Sequence, residues 1–306
     1  MDSITQNAYA RQRMISYAKK HGTTKASIRY KTSRKTIIKW KNRYDGTIVS
    51  LKDHSRSPKT SPKSHSQEEI KKVRRWLKKF NWKDLIYAYQ ELKKRGYNRS
   101  YGGFKRLARR LCEEKPKKQK PKRKSKPYTR ACYPGQKMQI DVKHVPSKCV
   151  MDAKKYYQFT AKDECSRWTY RQMYEDKSSY SAKLFLEELI KAAPFPIRMV
   201  QTDNGTEFTN ALLVVKSKHK TLFEEALNDM DILYKRIQIA TPRHNGKVER
   251  QHRTDTMRFY NNLKFLNLSE GRAKMLKYQL LSNDIIMTCL GMQSPNQILE
   301  KYLAVM

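Results

Sequence analysis

Apolar positions in the first third of the chain recur with the period of a helix. Over Ala8–Lys20, Met14, Ile15 and Ala18 fall near helical spacing, and His21-Gly22 stops the run. A short helix is predicted at Lys25–Tyr30. Thr32-Ser33 offers an N-cap for a third helix, in which Ile37, Trp40 and Tyr44 form one stripe and Asp45-Gly46 ends the pattern. This is a helix-turn-helix pattern, with Lys35, Lys39 and Asn42 pointing away from the stripe. A second unit repeats it. Ile70, Val73, Trp76, Leu77 and Phe80 share one helical face, Leu85, Tyr89 and Leu92 another, and Gly96 stops the second helix. Ser100 caps a third, where Phe104, Leu107 and Leu111 face inward and Arg106 and Arg109 outward. Between the two units, Ser57-Pro58 and Ser61-Pro62 mark Asp45–Ser66 as an extended linker.

The middle of the chain changes period. Met138, Ile140 and Val142 alternate with Gln139, Asp141 and Lys143, a strand that sets Asp141 opposite three apolar residues. Tyr156–Ala161 and Arg167–Met173 are predicted strands joined through Lys162–Ser166, and Ser181–Lys191 is a helix ended by Pro194 and Pro196. Pro196–Gln201 makes a fourth strand that runs into Thr202-Asp203-Asn204-Gly205. Helix Leu222–Asp229, strand Ile232–Ile237 and a helix starting near Lys247 follow. The expected order is three strands, then helix, strand, helix, strand and helix: a mixed five-stranded sheet flanked by helices. Beyond it, Glu270–Leu290 reads as one helix, and Ser294-Pro295 caps a last one containing Ile298, Leu299 and Tyr302. This tail is expected to pack on the core or on a partner subunit.

Charge separates the two halves. The chain of 306 residues carries 67 Lys plus Arg against 28 Asp plus Glu, a formal +39. Residues 1–136 hold +31 of it and residues 137–306 only +8. In Lys115–Arg130, nine of sixteen residues are basic and three are proline, which makes a non-helical basic tether that includes Lys122, Arg123 and Lys124. Solvated three-helix bundles would show the same periodicity. The charge favours nucleic-acid binding over them. Five widely spaced cysteines without a C-x-x-C pair exclude a disulfide framework and a zinc knuckle. No run approaches the ~18 apolar residues of a membrane span.

Three acids stand at chemically telling places: Asp141 in a strand, Asp203 at a strand end and Glu249 in the first turns of a helix. Phosphoryl transfer to a DNA 3′ hydroxyl needs an activated nucleophile and a stabilised leaving oxygen, which two Mg²⁺ ions about 3.5–4 Å apart supply. Such hard cations take carboxylates, waters and phosphates as ligands, so no His or Cys cluster is needed. Singly, each acid has an ordinary explanation: a loop-end cap, a turn, a solvated ion pair. Jointly, in this order and behind a basic front half, they point to catalysis.

The order Gln139-Ile140-Asp141, then Thr202-Asp203-Asn204-Gly205-Thr206-Glu207-Phe208, then His244-Asn245-Gly246-Lys247-Val248-Glu249-Arg250 resembles the integrase core of bacterial insertion-sequence transposases. These belong to the D-D-E superfamily that also includes retroviral integrases. The resemblance covers residues 131–262 and extends to the helix-turn-helix units with their Arg56-Ser57-Pro58 joint. It implies a ribonuclease-H-like α/β core behind all-α DNA-binding units, and catalytic metal ligands at Asp141, Asp203 and Glu249 for Mg²⁺ or Mn²⁺, two ions. It further implies binding to terminal inverted repeats, 3′-end cleavage and strand transfer. The partners implied are double-stranded DNA, of element ends and target, and further copies of the chain, at least a dimer on DNA. Asn245, Lys247, Arg250 and Arg253 are candidate DNA contacts beside the metal, with Thr256 one turn on. The departure is the spacing: 45 residues separate Asp203 from Glu249, more than is usual in the family, with the excess expected in Leu213–Thr221.

The expected organisation is a helix-turn-helix domain (1–46), linker (47–66), second helix-turn-helix-like domain (67–112), basic linker (113–130), catalytic core (131–262) and helical tail (263–306). A cytoplasmic, nucleoid-associated bacterial protein is expected. A retroviral-type integrase would call for a His-His-Cys-Cys zinc module, for which the front offers only His21, His54, His65 and Cys112. A cellular ribonuclease H or junction nuclease would not need two helix-turn-helix units. The alternative from another class is a catalytically inactive, transposase-derived DNA-binding regulator.

Overall fold

The computed structural model describes residues 3–54, 64–80, 82–112, 130–210, 219–238 and 245–305. The chain divides into two compact units, Met1–Ser66 and Gln67–Met306.

In the first unit, α1 (Ser3–His21), α2 (Thr23–Arg29) and α3 (Arg34–Arg43) surround Ala8, Ile15, Ala26 and Ile37. Ser33 caps α3 by accepting the Thr36 N–H. The stretch after Asp45 is not extended at its start. A 3₁₀ turn at Val49–Leu51 returns the fully buried Leu51 to this core, where Arg11 donates to its carbonyl at 2.7 Å and to Asp53 at 2.8 Å. One isolated leucine carries no period, so the pattern alone did not mark it.

The second unit begins with α4 (Gln67–Lys79), α5 (Leu85–Lys94) and α6 (Tyr101–Leu111), packed around Leu77, Leu92 and Phe104 and capped by Asp84 and Ser100. The sheet follows: β1 (Met138–His144), β2 (Tyr157–Asp163), β3 (Thr169–Tyr174), β4 (Met199–Thr202) and β5 (Leu233–Arg236), in spatial order β3-β2-β1-β4-β5. The first three strands are antiparallel; β4 joins β1, and β5 joins β4, in parallel. Each parallel connection carries a helix, α7 (Ser179–Ala192) and then α8 (Leu222–Asp229), as parallel crossovers require. This is the mixed five-stranded, helix-flanked sheet that the alternation predicts. Phe159, Phe185, Leu189 and Phe208 fill one side. Gly135 is obligatory, because at φ +82 a Cβ there would lie 2.1 Å from the Pro196 carbonyl oxygen.

After β5 come α9 (Gly246–Asp255), a π-helical turn at Thr256–Tyr260, α10 (Leu268–Asn283) and α11 (Pro295–Leu303). The tail packs on the core: α10 lies against β3, and Leu299 of α11 joins the sheet's apolar cluster. The helix expected through Leu290 stops at Asn283. Its chain turns out of the helix to bury Ile285 and to pack Ile286 and Met292 against the α4–α6 bundle, a tertiary gain that overrides periodicity. Gln90 of α5 clasps this turn, donating to the Asp284 carbonyl at 3.1 Å and accepting the Ile286 N–H at 2.9 Å. Asp84 is gripped by Arg258 of the π turn, through Nε and through Nη2 at 2.9 Å. No helix among the described residues is long and apolar enough to cross a membrane.

Candidate active site

The parallel register pairs Gln139 of β1 with Gln201 of β4. Two residues further along each chain stand Asp141 and Asp203, so adjacency of these strands brings the two carboxylates to one end of the sheet. Asp203 is half-buried and folds back on its own turn, accepting the Gly205 N–H at 3.1 Å, while Asn204 donates to the Ile237 carbonyl at 3.1 Å. Glu207 is buried behind that turn, its carboxyl 2.8 Å from where a Cβ on Gly205 would sit, so a side chain there would have to push the Glu207 carboxyl aside.

The third acid is delivered by a helix that β1 itself caps. The Gln139 side-chain oxygen accepts the N–H groups of Lys247 and Val248 at 3.2 and 3.3 Å, satisfying donors that the first turn of α9 leaves free. Asn245 donates to the Ile140 carbonyl at 3.2 Å, and Val248 is fully buried. Glu249 is thereby exposed on the side of Asp141. Gln139 is held in turn by Glu164, to which it donates at 2.6 Å, and Glu164 stands 3.4 Å from Lys137 and 3.1 Å from Lys247.

The electrostatics of Asp141 record the gathering. Burial pushes its carboxyl up first, Asp203, Glu249 and Glu207 add to the rise, and the Val142 N–H opposes it; the result is about 7. His252 lies 3.5 Å from Asp141 through Nδ1, but burial holds this imidazole down at about 4, so the contact is not an ion pair at neutral pH. Among the described residues no three His, Cys, Asp or Glu side chains already form a ligand cage. The acids are near enough to repel one another without closing on one point. The donor set is all carboxylate, and its mutual repulsion is what a hard divalent cation relieves.

Beneath the site, α9 ends in a buried ionic network. Asp255 accepts Arg171 Nε at 2.9 Å and Nη2 at 3.1 Å, Gln158 at 2.9 Å, Gln251 at 2.8 Å and Tyr278 at 2.9 Å. Arg171 also donates to Ser282 of α10 at 3.0 Å. Helix, sheet and tail are thus joined at one carboxylate.

Residues 133–242 match the family model described as the integrase core domain. The chain contains an integrase core domain. The matched segment holds Asp141 and Asp203 and ends before Glu249, whose position rests on the Gln139 cap. The chain is 31% identical over 171 residues to the ORF3 product of Spiroplasma virus SpV1-C74, which is named as an integrase. That alignment takes in 53% of this chain and 47% of the relative, so the chain spans about half the length of the curated relative it matches. Among solved structures, the simian T-cell lymphotropic virus intasome in complex with a PP2A regulatory subunit shares 16% identity at a TM-score of 0.45, covering 74% of this chain and 73% of that one. The BIV integrase catalytic core shares 19% at 0.40, over 56% and 97%. The HTLV-2 integrase catalytic core in complex with magnesium shares 20% at 0.41, over 55% and 99%. At such values these are likenesses of shape and say nothing about chemistry.

The other candidate residues fall in three groups. Lys35, Lys39 and Asn42 on α3, Arg106 and Arg109 on α6, and Arg250 and Arg253 on α9 are exposed. Lys247 is half-buried against Glu164, and the Asn245 amide is committed to the β1 backbone, so both brace the core domain rather than project from it. Lys122, Arg123 and Lys124, the loop through His244 and most of Leu213–Thr221 lie outside the described residues. Sequence reading missed Gln139 as a helix cap, and missed Arg171 and Asp255. Only Gln139 left a signal, as a polar residue inside the first motif.

Proposed function

We propose that this chain is a transposase: it binds the terminal inverted repeats of a mobile element and catalyses metal-dependent 3′-end cleavage and strand transfer. The observation that carries this reading is the register that sets Asp141 and Asp203 at one end of adjacent strands, with Gln139 fastening α9, and so the turn that bears Glu249, to β1. Asp141, Asp203 and Glu249 would hold Mg²⁺ or Mn²⁺. Such ions activate the attacking oxygen and stabilise the leaving one. Gln139 and Asn245 fix the entry of α9, and the Asp255 network fixes its exit, so Glu249 is presented by a helix restrained at both ends. The exposed cations of α3 and α6 would engage DNA phosphates and base edges. Handling two element ends together calls for at least two copies of the chain.

The test uses the purified full chain, Mg²⁺ and DNA carrying the element's own ends. Asp203→Asn is expected to bind those ends as the wild type does while losing nicking and joining. Equal reaction in both proteins would sink the assignment.

A further inference from the structure

A cleft of about 540 Å³ opens inside the second unit, between the α4–α5 turn and the outer face of α9 with its π turn. Lys79, Phe80, Lys83 and Tyr87 line one wall, and Arg253 and Asn262 the other. Arg253 follows Glu249 by one helical turn, so the cleft begins one turn along α9 from that carboxylate. Its one acid, Asp84, is already taken by Arg258, and among the described residues Lys79, Lys83 and Arg253 have no acidic partner. Phe80 and Tyr87 are half-buried with ring centroids 5.1 Å apart, and Asn262 is exposed, its amide carrying both donors and an acceptor suited to a base edge.

Uncompensated cations, aromatic faces and an amide together make the chemistry of a single-strand nucleotide site. The volume suits a group of nucleotide size. A duplex, whose major groove alone is ~12 Å wide, does not fit inside it. We propose that this cleft receives an unpaired nucleotide of the DNA strand lying at the carboxylates, its phosphate on Lys83 and Arg253 and its base against Phe80 and Tyr87. The Asp84–Arg258 clasp sets the distance between the walls. The proposal rests on the transposase reading for the identity of that strand.

The experiment compares two fluorescein-labelled probes by anisotropy on the full chain: a short blunt duplex and the same duplex with an unpaired tail of a few nucleotides. The tail is expected to tighten binding about tenfold, the lower part of the range for one stacked base. Lys83→Glu, on an exposed turn, and Phe80→Leu are each expected to abolish that gain. Equal affinity for the two probes in the wild type, or a gain that survives in both variants, overturns the proposal. Metal-dependent nicking is scored separately. A chain that nicks without preferring the tail refutes the cleft alone, and one that prefers the tail without nicking refutes the transposase reading alone.

Discussion

The helical front and the integrase core domain carry their charge in opposite ways. In α3, Lys35 and Lys39 stand exposed and make no salt bridge among the described residues, and the fold of that unit rests on Ala8, Ile15, Ile37 and Leu51. Around the sheet, Arg171 and Asp255 are both fully buried, and Glu164 is enclosed between Lys137 and Lys247. Lys35 and Lys39 are available to a partner; Arg171, Asp255 and Glu164 are consumed in holding one helix. Substitutions should therefore separate binding from catalysis according to which region they touch.

The largest effect is expected from the buried pair. Arg171→Ala strands Asp255 without its counter-ion and should cost about 3–5 kcal/mol in urea or thermal unfolding, with the core domain lost before the first unit. A smaller change in the same parameter comes from pH. Burial alone would raise the Asp255 carboxyl, but the Arg171 guanidinium and the Gln251 and Gln158 amides overcome this and hold it at about 2, below its ordinary 3.8. A folded-state value below the unfolded one gives stability that is present above pH ~4 and lost as pH falls towards 2, on the order of 2 kcal/mol. A stability that is flat over that range would contradict the pairing.

Gln139→Ala sharpens the comparison, because it removes a cap rather than a ligand. Nicking should fall about tenfold while DNA binding stays unchanged, as for outer-shell groups that orient metal ligands. Lys35→Ala marks the other end of the scale. Stability should stay within about 0.5 kcal/mol, and binding should weaken with a salt slope shallower by about 1. A Lys35→Ala protein with normal binding and a normal slope would remove α3 from the DNA interface.

The same contrast governs what was legible in the amino-acid order. Alternation over Met138–Val142 and the caps Ser33 and Ser100 are local signals, and they gave the strands and helices near their observed limits. The candidate acids stood out through their motifs. What holds them did not. Arg171 meets Asp255 across 84 residues and Ser282 across 111, and within β3 it alternates like a residue facing solvent. The end of α10 was hidden for a related reason: Ile285 and Ile286 continue the helical stripe, yet Ile285 is buried and Ile286 half-buried by a turn whose partner, Gln90, lies in the helical bundle.

The network at Asp255 also sets an order of events during synthesis. Tyr278, Gln279 and Ser282, which complete the surroundings of Arg171 and Asp255, are made only after every acid of the site. A nascent chain that already contains Asp141, Asp203 and Glu249 still has the foot of α9 open to water. The C-terminal tail therefore acts as a late latch, closing the foot of α9 only once the rest of the sheet and helix exist.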